Sequence, residues 1–146
     1  MQGSFKAAFT GSKSDISLLT EYLEKEKQNM NLTSEILKCC YKREDVLKNG
    51  LSMTIYNKYF DKMRKSAHIL VSEGKQDELL PYLCSESVSI RRDIAGLLFN
   101  SYPELCKSIF REISEMTVAT GLQKCYIIVV ATAIDILKYG IPKDFP

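Results

Sequence analysis

One histidine, His68, and no tryptophan occur among the 146 residues of the chain. A single histidine excludes every site that needs two histidines from one chain, which removes many zinc and catalytic sites. Seven glycines and four prolines are few for an all-β protein, whose many turns require them. The glycines also form no phosphate-binding loop with a following lysine. The sequence therefore predicts neither a cofactor nor a metal, and no catalytic residues.

The cysteines do not resemble a metal site. Cys39, Cys40, Cys84, Cys106 and Cys125 make an odd number, and none is spaced as C-x-x-C. Most of them stand among apolar residues at helical spacing. We interpret them as reduced thiols that pack as small apolar side chains in a reducing compartment.

Long apolar runs are also missing. The first 12 residues contain one lysine, Lys6, and no apolar run, so no secretory leader is expected. The most apolar stretch, 125–137, contains Asp135 and is shorter than the roughly 20 residues that a membrane-spanning helix needs. We therefore expect 125–137 to be a buried core helix, and the protein to be cytoplasmic without a membrane segment.

Charge is nearly balanced, with 20 basic and 18 acidic residues. The excess of positive charge lies in residues 38–65, where eight basic side chains face only Glu44, Asp45 and Asp61. This region also contains Tyr41, Tyr56, Tyr59 and Phe60. Basic residues with interleaved aromatic residues can bind nucleic acid. At this spacing, however, we favour a buried aromatic stripe beside a solvated lysine face, which consists of Lys58, Lys62 and Lys65.

Helical periodicity runs along most of the chain, without the alternation that strands would show. We predict an all-α protein of about seven helices joined by short turns, in which residues 1–11 form a flexible arm and residues 12–146 one domain. Residues 12–50 are predicted to form two helices that separate near Asn29–Asn31. Further helices are predicted over 52–73, 76–84 and 88–100, from Pro103 onwards, and over 122–139. Gly50, Gly74, Gly121 and Gly140 are predicted to end helices.

The segment 78–140 resembles a pair of HEAT/armadillo-type repeats. A leucine-rich helix (Leu79, Leu80, Leu83) precedes a polar turn, and the next helix contains an apolar-arginine step, Ile90-Arg91, followed by Ala95, Leu97 and Leu98. The stretch 56–140 is similar to a family of small bacterial HEAT-like domains of unknown function. In that family a Pro-Glu-Leu-Cys start, here Pro103–Cys106, opens the third helix, and an aromatic-Gly step, here Tyr139-Gly140, ends the last. This chain has tyrosine where the family more often has tryptophan.

This resemblance implies a short right-handed α-solenoid of HEAT-like hairpins, and some members look like immunity proteins of contact-dependent growth inhibition systems. The expected function is then non-enzymatic: a monomer would bind a cognate toxin, with a nuclease domain as the leading candidate, as a 1:1 heterodimer and occlude its active site. Exposed tyrosine and arginine side chains are the expected contact residues. The candidates are Tyr22, Tyr41, Tyr56, Arg64, Arg92 and Tyr102.

Two alternatives remain open at this point. The basic region 38–65 would suit a HEAT-like protein that binds nucleic acid, and a scaffold or assembly subunit would self-associate. A nucleophile-base pair of His68 with Cys39 or Cys40 is conceivable, but the sequence supplies no orienting group for it. Arg91 is expected to pair with a carboxylate of a neighbouring helix, such as Asp93 or Asp135, whereas Arg92 is expected to be freer to contact a partner.

Overall fold

The computed structural model describes residues 13–146, except for the side chains of residues 13, 14 and 25–31. All regular structure in this part of the chain is helical, which confirms the all-α class. The α-helices are α1 (Lys13–Lys48), α2 (Met53–Ser72), α3 (Val88–Leu98), α4 (Pro103–Ser114) and α5 (Ile127–Tyr139). The 3-10 helices are η1 (Gln76–Cys84), η2 (Val118–Thr120) and η3 (Lys124–Tyr126). The arm predicted for residues 1–11 lies outside the described residues, and the right-handed solenoid winding stays a prediction.

Helix α1 differs from the two helices predicted for residues 12–50. The helix is assigned without interruption from Lys13 to Lys48, through the break predicted at Asn29–Asn31. Residues 29–34 contain neither glycine nor proline, and asparagine, serine and threonine each disfavour a helix by only about 0.5 kcal/mol. Such weak preferences do not end a helix. The chain nevertheless divides into two units within α1, Met1–Asn31 and Leu32–Pro146.

The described part of the first unit is one helical segment. Thr20 donates its hydroxyl hydrogen bond to the carbonyl of Ile16 at 2.9 Å, a local back-bond within the helix. The side chains of Ile16, Leu18 and Leu23 are exposed.

Local signals set the helix ends of the second unit. Ser52 precedes α2 in an extended conformation, and its side chain accepts a hydrogen bond from the amide of Thr54. Ser87 does the same for α3 by accepting from the amide of Ile90. These hydroxyls satisfy amide groups that have no partner within the helix. Gly50 has a φ of 61° at the turn between α1 and α2, a conformation in which other residues are strained.

The segment 76–84 has the predicted bounds but a tighter geometry. It is a 3-10 helix of nine residues, which is long for this type. Pro81 lies inside it. In an α-helix the proline ring would clash with the carbonyl four residues earlier, and the proline has no amide to donate. The 3-10 winding avoids that clash and still buries Leu79 and Leu83.

The core of the second unit lies between consecutive helices. η1 packs on α2 and α3, α3 packs on α4 and α5, and α4 packs on α5. A three-residue connection places η1 beside α3, as expected for a hairpin. The connection from α4 to α5 is longer and contains η2 and η3, and these two helices also pack on each other. The fully buried large side chains include Ile36, Met63, Leu70, Leu79, Ile94, Leu97, Leu98, Phe110, Ile113 and Val129.

The last residues return to this core. The side chain of Phe145 is buried, with its ring centroid 5.3 Å from that of Phe60 in α2. A Cβ atom at Gly96 in α3 would lie 3.4 Å from the Phe145 ring, so the absence of a side chain at Gly96 brings α3 close to this ring. Asn100 donates to the carbonyl of Phe145 at 3.3 Å. The end of the chain is therefore part of the packed unit.

Candidate protein-binding surface

Two of the residues predicted to contact a partner lie in the interior. Tyr56 is 5% exposed and Arg92 is 8% exposed. Burial raises the pKa of the Tyr56 hydroxyl, and the nearby carboxylate of Asp93 raises it further. Neither side chain is placed to contact a partner at the surface, which corrects the prediction made for both. Both belong to residue types that are common at interfaces, and only the folded chain places them beside the buried carboxylate of Asp93.

The other four candidates differ in exposure and in their contacts. Arg64 is half-buried and bound to Asp144, and Tyr102 donates its hydroxyl hydrogen bond to Asp77. That hydrogen bond raises the pKa of Tyr102. Tyr41 is exposed in the second unit, and Tyr22 is exposed in the first.

A buried charge cluster connects α1, α2, α3 and α5. The Arg43 guanidinium donates from Nε to Asp93 Oδ2 at 3.1 Å, from Nη2 to Asp93 Oδ1 at 3.2 Å and from Nη1 to the carbonyl of Tyr56 at 3.0 Å. It also stacks over the Tyr56 ring at 3.7 Å. Arg92 adds a second cation 3.2 Å from Asp93 Oδ1 and donates to Thr132 at 2.9 Å. Each buried charge has partners, as the low internal dielectric requires.

Of the two neighbouring arginines, Arg91 pairs with a neighbouring helix as expected, whereas Arg92 is not free to contact a partner. Arg92 is the buried one, whereas Arg91 pairs at 2.9 Å with Glu112 of α4, a carboxylate that is 59% exposed. The prediction that Arg91 binds a neighbouring helix is therefore right in kind, but its partner is neither Asp93 nor Asp135. Successive helical residues point about 100° apart, so the sequence alone did not show which arginine faces the core.

A second polar cluster surrounds Glu44 on α1. Tyr126 donates to Glu44 Oε2 at 3.0 Å, and Ser87 donates to the same oxygen. Ser87 precedes α3 and Tyr126 precedes α5, so the carboxylate also lies near the positive ends of two helix dipoles. Burial raises the pKa of Tyr126, and the hydrogen bond to Glu44 raises it further. A cleft of about 470 Å³ opens beside this cluster, and Lys48, Glu86 and Arg91 lie on its walls.

The conceivable catalytic groups do not meet. His68 Nε2 lies 2.5 Å from the carbonyl of Asp144, so its ring nitrogen serves as a donor that holds the C-terminal segment. Cys39 and Cys40 are buried, and the Cys40 thiol donates to the Met63 sulfur at 3.3 Å. Burial raises the pKa of both thiols, which opposes formation of the nucleophilic thiolate. Among the described residues, no three His, Cys, Asp or Glu side chains are grouped to hold a metal ion.

Three large aliphatic side chains are exposed on one side of α5. Ile127 is 53% exposed, Ile134 is 46% exposed and Leu137 is 37% exposed. They occupy positions i, i+7 and i+10, so they lie on one side of the helix, with Ala131 exposed between them. We call these four residues the α5 face. An isolated surface helix normally has charged and polar residues on this side, and patches of this kind mark interaction sites.

A groove adjoins the α5 face. It has a volume of about 390 Å³ and lies between α4 and α5. Its floor is apolar, and both of its charged residues, Lys107 and Arg111, are basic. We call it the α4–α5 groove, and it is lined by Phe99, Lys107, Arg111, Ile136, Leu137 and Gly140.

The sequence predicted that 125–137 is a buried core helix, so an exposed side of α5 was not expected. A helix that is apolar on most sides needs neighbours on most sides. The position of α5 in the chain indicates that one side is exposed: α5 is the last helix, and its main helical neighbour is α4. Two sides of α5 are covered by the core, while the α5 face is not.

A basic surface lies on α2, as expected for the lysine face. Lys58, Lys62 and Lys65 line a shallow depression of about 630 Å³ with Thr54, Asn57 and Asp61. Lys62 lies 3.6 Å from Glu35 of α1, whereas Lys58 and Lys65 form no ion pair with any described residue.

Compared with known proteins, the chain matches no family model, no curated protein and no solved structure. Within residues 13–146, no helix has both the length and the apolar character needed to cross a membrane.

Proposed function

We propose that this chain is a non-enzymatic protein-binding module, and specifically a cytosolic immunity protein that neutralises a cognate antibacterial toxin. The observation that carries the proposal is the exposed α5 face beside the α4–α5 groove. Three large aliphatic side chains on one helix face offer the apolar centre that a protein interface requires. The resemblance of 56–140 to small bacterial HEAT-like domains supplies the biological setting.

The mechanism would be steric. A helical scaffold held by buried polar clusters at Asp93 and Glu44 changes little on binding, so it loses little conformational entropy. Its surface would cover the active site of a toxin, with a nuclease domain as the leading candidate. No chemistry is required of the chain in this mechanism.

Co-expression tests the proposal. The gene directly upstream would be expressed in a foreign bacterial host with and without this chain. We expect the upstream product to stop growth alone, and we expect growth to recover together with a 1:1 complex on size-exclusion chromatography. Absence of toxicity, or toxicity that this chain does not relieve, would contradict the proposal.

A matched pair of variants keeps that test specific. Ile134→Asp places a charge in the α5 face and should abolish rescue, since loss of a central apolar contact costs at least about 2 kcal/mol of binding free energy. Ile69→Asp makes the same change at another exposed isoleucine, on α2, and should preserve rescue. Thermal unfolding of both variants would establish that each is folded.

Nucleic-acid binding is the second candidate function, favoured by the three lysines around the α2 depression. Phosphate-driven affinity falls steeply as salt rises. Electrophoretic mobility shifts with duplex DNA and transfer RNA at low and physiological salt would test it. A salt-sensitive shift that Lys58→Glu/Lys65→Glu removes would support this function, whereas no shift at low salt would eliminate it. Stable self-association in the same preparations would instead indicate a scaffold subunit.

A further inference from the structure

We infer that the α5 face and the α4–α5 groove bind an acidic amphipathic helix of the partner protein. The inference rests on the proposed function and specifies the chemistry of the segment that is bound.

The shape of the surface suits a helix. The exposed aliphatic residues of the α5 face span positions 127 to 137, which is about 15 Å along the axis, or nearly three turns. A partner helix presents apolar anchors at i, i+4 and i+7 over about 10 Å, which fits within that length. The adjoining groove has apolar lining residues Ile136 and Leu137 and a volume of about 390 Å³.

The charges around the surface select an acidic segment. Lys107 and Arg111 border the groove on the α4 side, and Lys138 lies on the same side of α5 as Ile127 and Ala131, with its Nζ 5.1 Å from the centroid of the Tyr139 ring. Arg111 and Lys138 form no ion pair with any described residue, and Lys107 lies 3.5 Å from Glu104, whose side chain is 81% exposed. Asp135, the acidic residue of α5, is exposed and lies about 40° around the helix from Ala131, at the edge of the α5 face opposite the groove. Glutamate or aspartate on the groove side of the partner's apolar anchors would therefore meet cations.

The same charges disfavour a second copy of this chain. A two-fold contact brings each patch against itself, so it would place Lys107, Arg111 and Lys138 near the same three cations of the second copy. Like charges that face each other across an interface destabilise it. An aliphatic stripe is equally unsuited to nucleic acid, whose backbone presents phosphate. A bilayer reaches protruding side chains but does not enter a concave groove between two helices.

Two synthetic peptides test the inference on the full chain. Both would be fluorescein-labelled helices with leucine at i, i+4 and i+7, and one would have glutamate where the other has lysine. We expect the glutamate peptide to bind and to shift the amide resonances of α4 and α5. We expect the lysine peptide to bind at least about tenfold more weakly, and Lys107→Glu/Arg111→Glu to reverse that preference.

Lys58→Glu/Lys65→Glu is the matched control, because it makes the same charge change on α2 and should leave both affinities unchanged. Equal affinities for the two peptides, shifts confined to α2, or no shift at about millimolar peptide would overturn the inference. The chain could instead bind vesicles of phosphatidylcholine and phosphatidylserine, lose that binding in Lys107→Glu/Arg111→Glu, and bind neither peptide. That result would overturn the inference in favour of a lipid surface.

Failure of this inference can be told apart from failure of the proposed function. The Lys107→Glu/Arg111→Glu variant could rescue growth as completely as the unmodified chain does. That result would contradict binding of an acidic helix but would be consistent with the proposed function. Selective binding of the glutamate peptide at α5, with no rescue from any toxin, would remove the proposed function and retain the chemistry of the surface.

Discussion

Arg43 and Asp93 meet side by side in the interior, 50 residues apart in sequence, through two hydrogen bonds of 3.1 and 3.2 Å. The Asp93 side chain is inaccessible to solvent, and that of Arg43 is 3% exposed. Arg92 contacts the same carboxylate, so one buried anion faces two cations. This arrangement fixes α1 against α3 and makes Asp93 indispensable, because its removal would leave two guanidinium groups without a counter-ion.

We therefore expect Asp93→Asn to lower the free energy of unfolding by about 3–5 kcal/mol, the usual cost of removing one partner from a buried ion pair. The change keeps the shape of the side chain, so packing would contribute little to the loss. Urea unfolding followed by circular dichroism would measure it as a lower midpoint with an unchanged slope.

Glu112→Gln is the control for this experiment, because it makes the same acid-to-amide change in the exposed pair with Arg91. An exposed pair contributes about 0.2–1 kcal/mol. Similar losses in the two variants would mean that the Asp93 cluster does not behave as a buried one.

Ser87 and Ser89 lie two positions apart at the start of α3, and replacing each by alanine should change the stability of the fold in opposite directions. Ser87 caps α3 and donates to Glu44, so Ser87→Ala should cost about 1–2 kcal/mol of stability. Ser89 is fully buried, and its hydroxyl has no hydrogen-bond partner among the described residues. Ser89→Ala should therefore stabilise the fold by about 0.5–1 kcal/mol, since alanine also favours a helix.

Melting temperatures of the two alanine variants, recorded side by side, would check this prediction. A lower melting temperature for Ser89→Ala would show that its hydroxyl has a partner in solution, such as an internal water.

The features that could be predicted from the sequence are those whose causes are local. Pro103 begins α4 and Gly50 ends the turn after α1, because each residue has a backbone preference that acts within a few positions. The α-helical class followed from periodicity for the same reason. The continuity of α1 was not predicted because it depends on the summed helix propensities of several residues, none of which is decisive alone.

The candidate surface was hard to predict because exposure depends on contacts between distant helices. The sequence of α5 shows that most of its sides are apolar, but only the fold shows that the side with Ile134 is left uncovered. Arg92 and Tyr56 illustrate the converse. Both belong to residue types that favour interfaces, yet the position of Asp93 in the folded chain places them inside.

The Tyr126–Glu44 hydrogen bond should make stability depend on pH in the alkaline range. Burial and Glu44 raise the folded-state pKa of Tyr126 above the ordinary value of 10.0. Both states are protonated well below pH 10, so the stabilisation is complete there. As the pH rises through 10, the unfolded state loses its proton first and the free energy of unfolding falls.

Tyr126→Phe should therefore cost about 1.5 kcal/mol at neutral pH and should show a shallower alkaline decline than the unmodified chain. Urea unfolding at a series of pH values from neutral to about pH 11 would measure both effects. Tyr41→Phe, at an exposed tyrosine, should change neither. If the free energy of unfolding fell equally steeply above pH 10 in Tyr126→Phe and in the unmodified chain, the prediction would be wrong.

The five cysteines should separate by burial when the folded chain meets a thiol reagent. Cys84 is exposed and Cys125 is partly exposed, whereas Cys39, Cys40 and Cys106 are buried. Burial raises the pKa of the Cys106 thiol to about 11 and also raises those of Cys39 and Cys40, so few thiolates form at these positions near neutral pH.

We expect one fast reaction with Ellman's reagent, one slower reaction, and three thiols that react only after unfolding. Cys84→Ser should remove the fast phase without altering stability, while Cys106→Ser should preserve that phase and lower the melting temperature, because it buries a hydroxyl in an apolar site. A fast phase that persists in Cys84→Ser would place another cysteine at the surface. If that cysteine were Cys39 or Cys40, the packing of α1 against α2 would open in solution, and the rigid scaffold on which the occlusion mechanism depends would be lost.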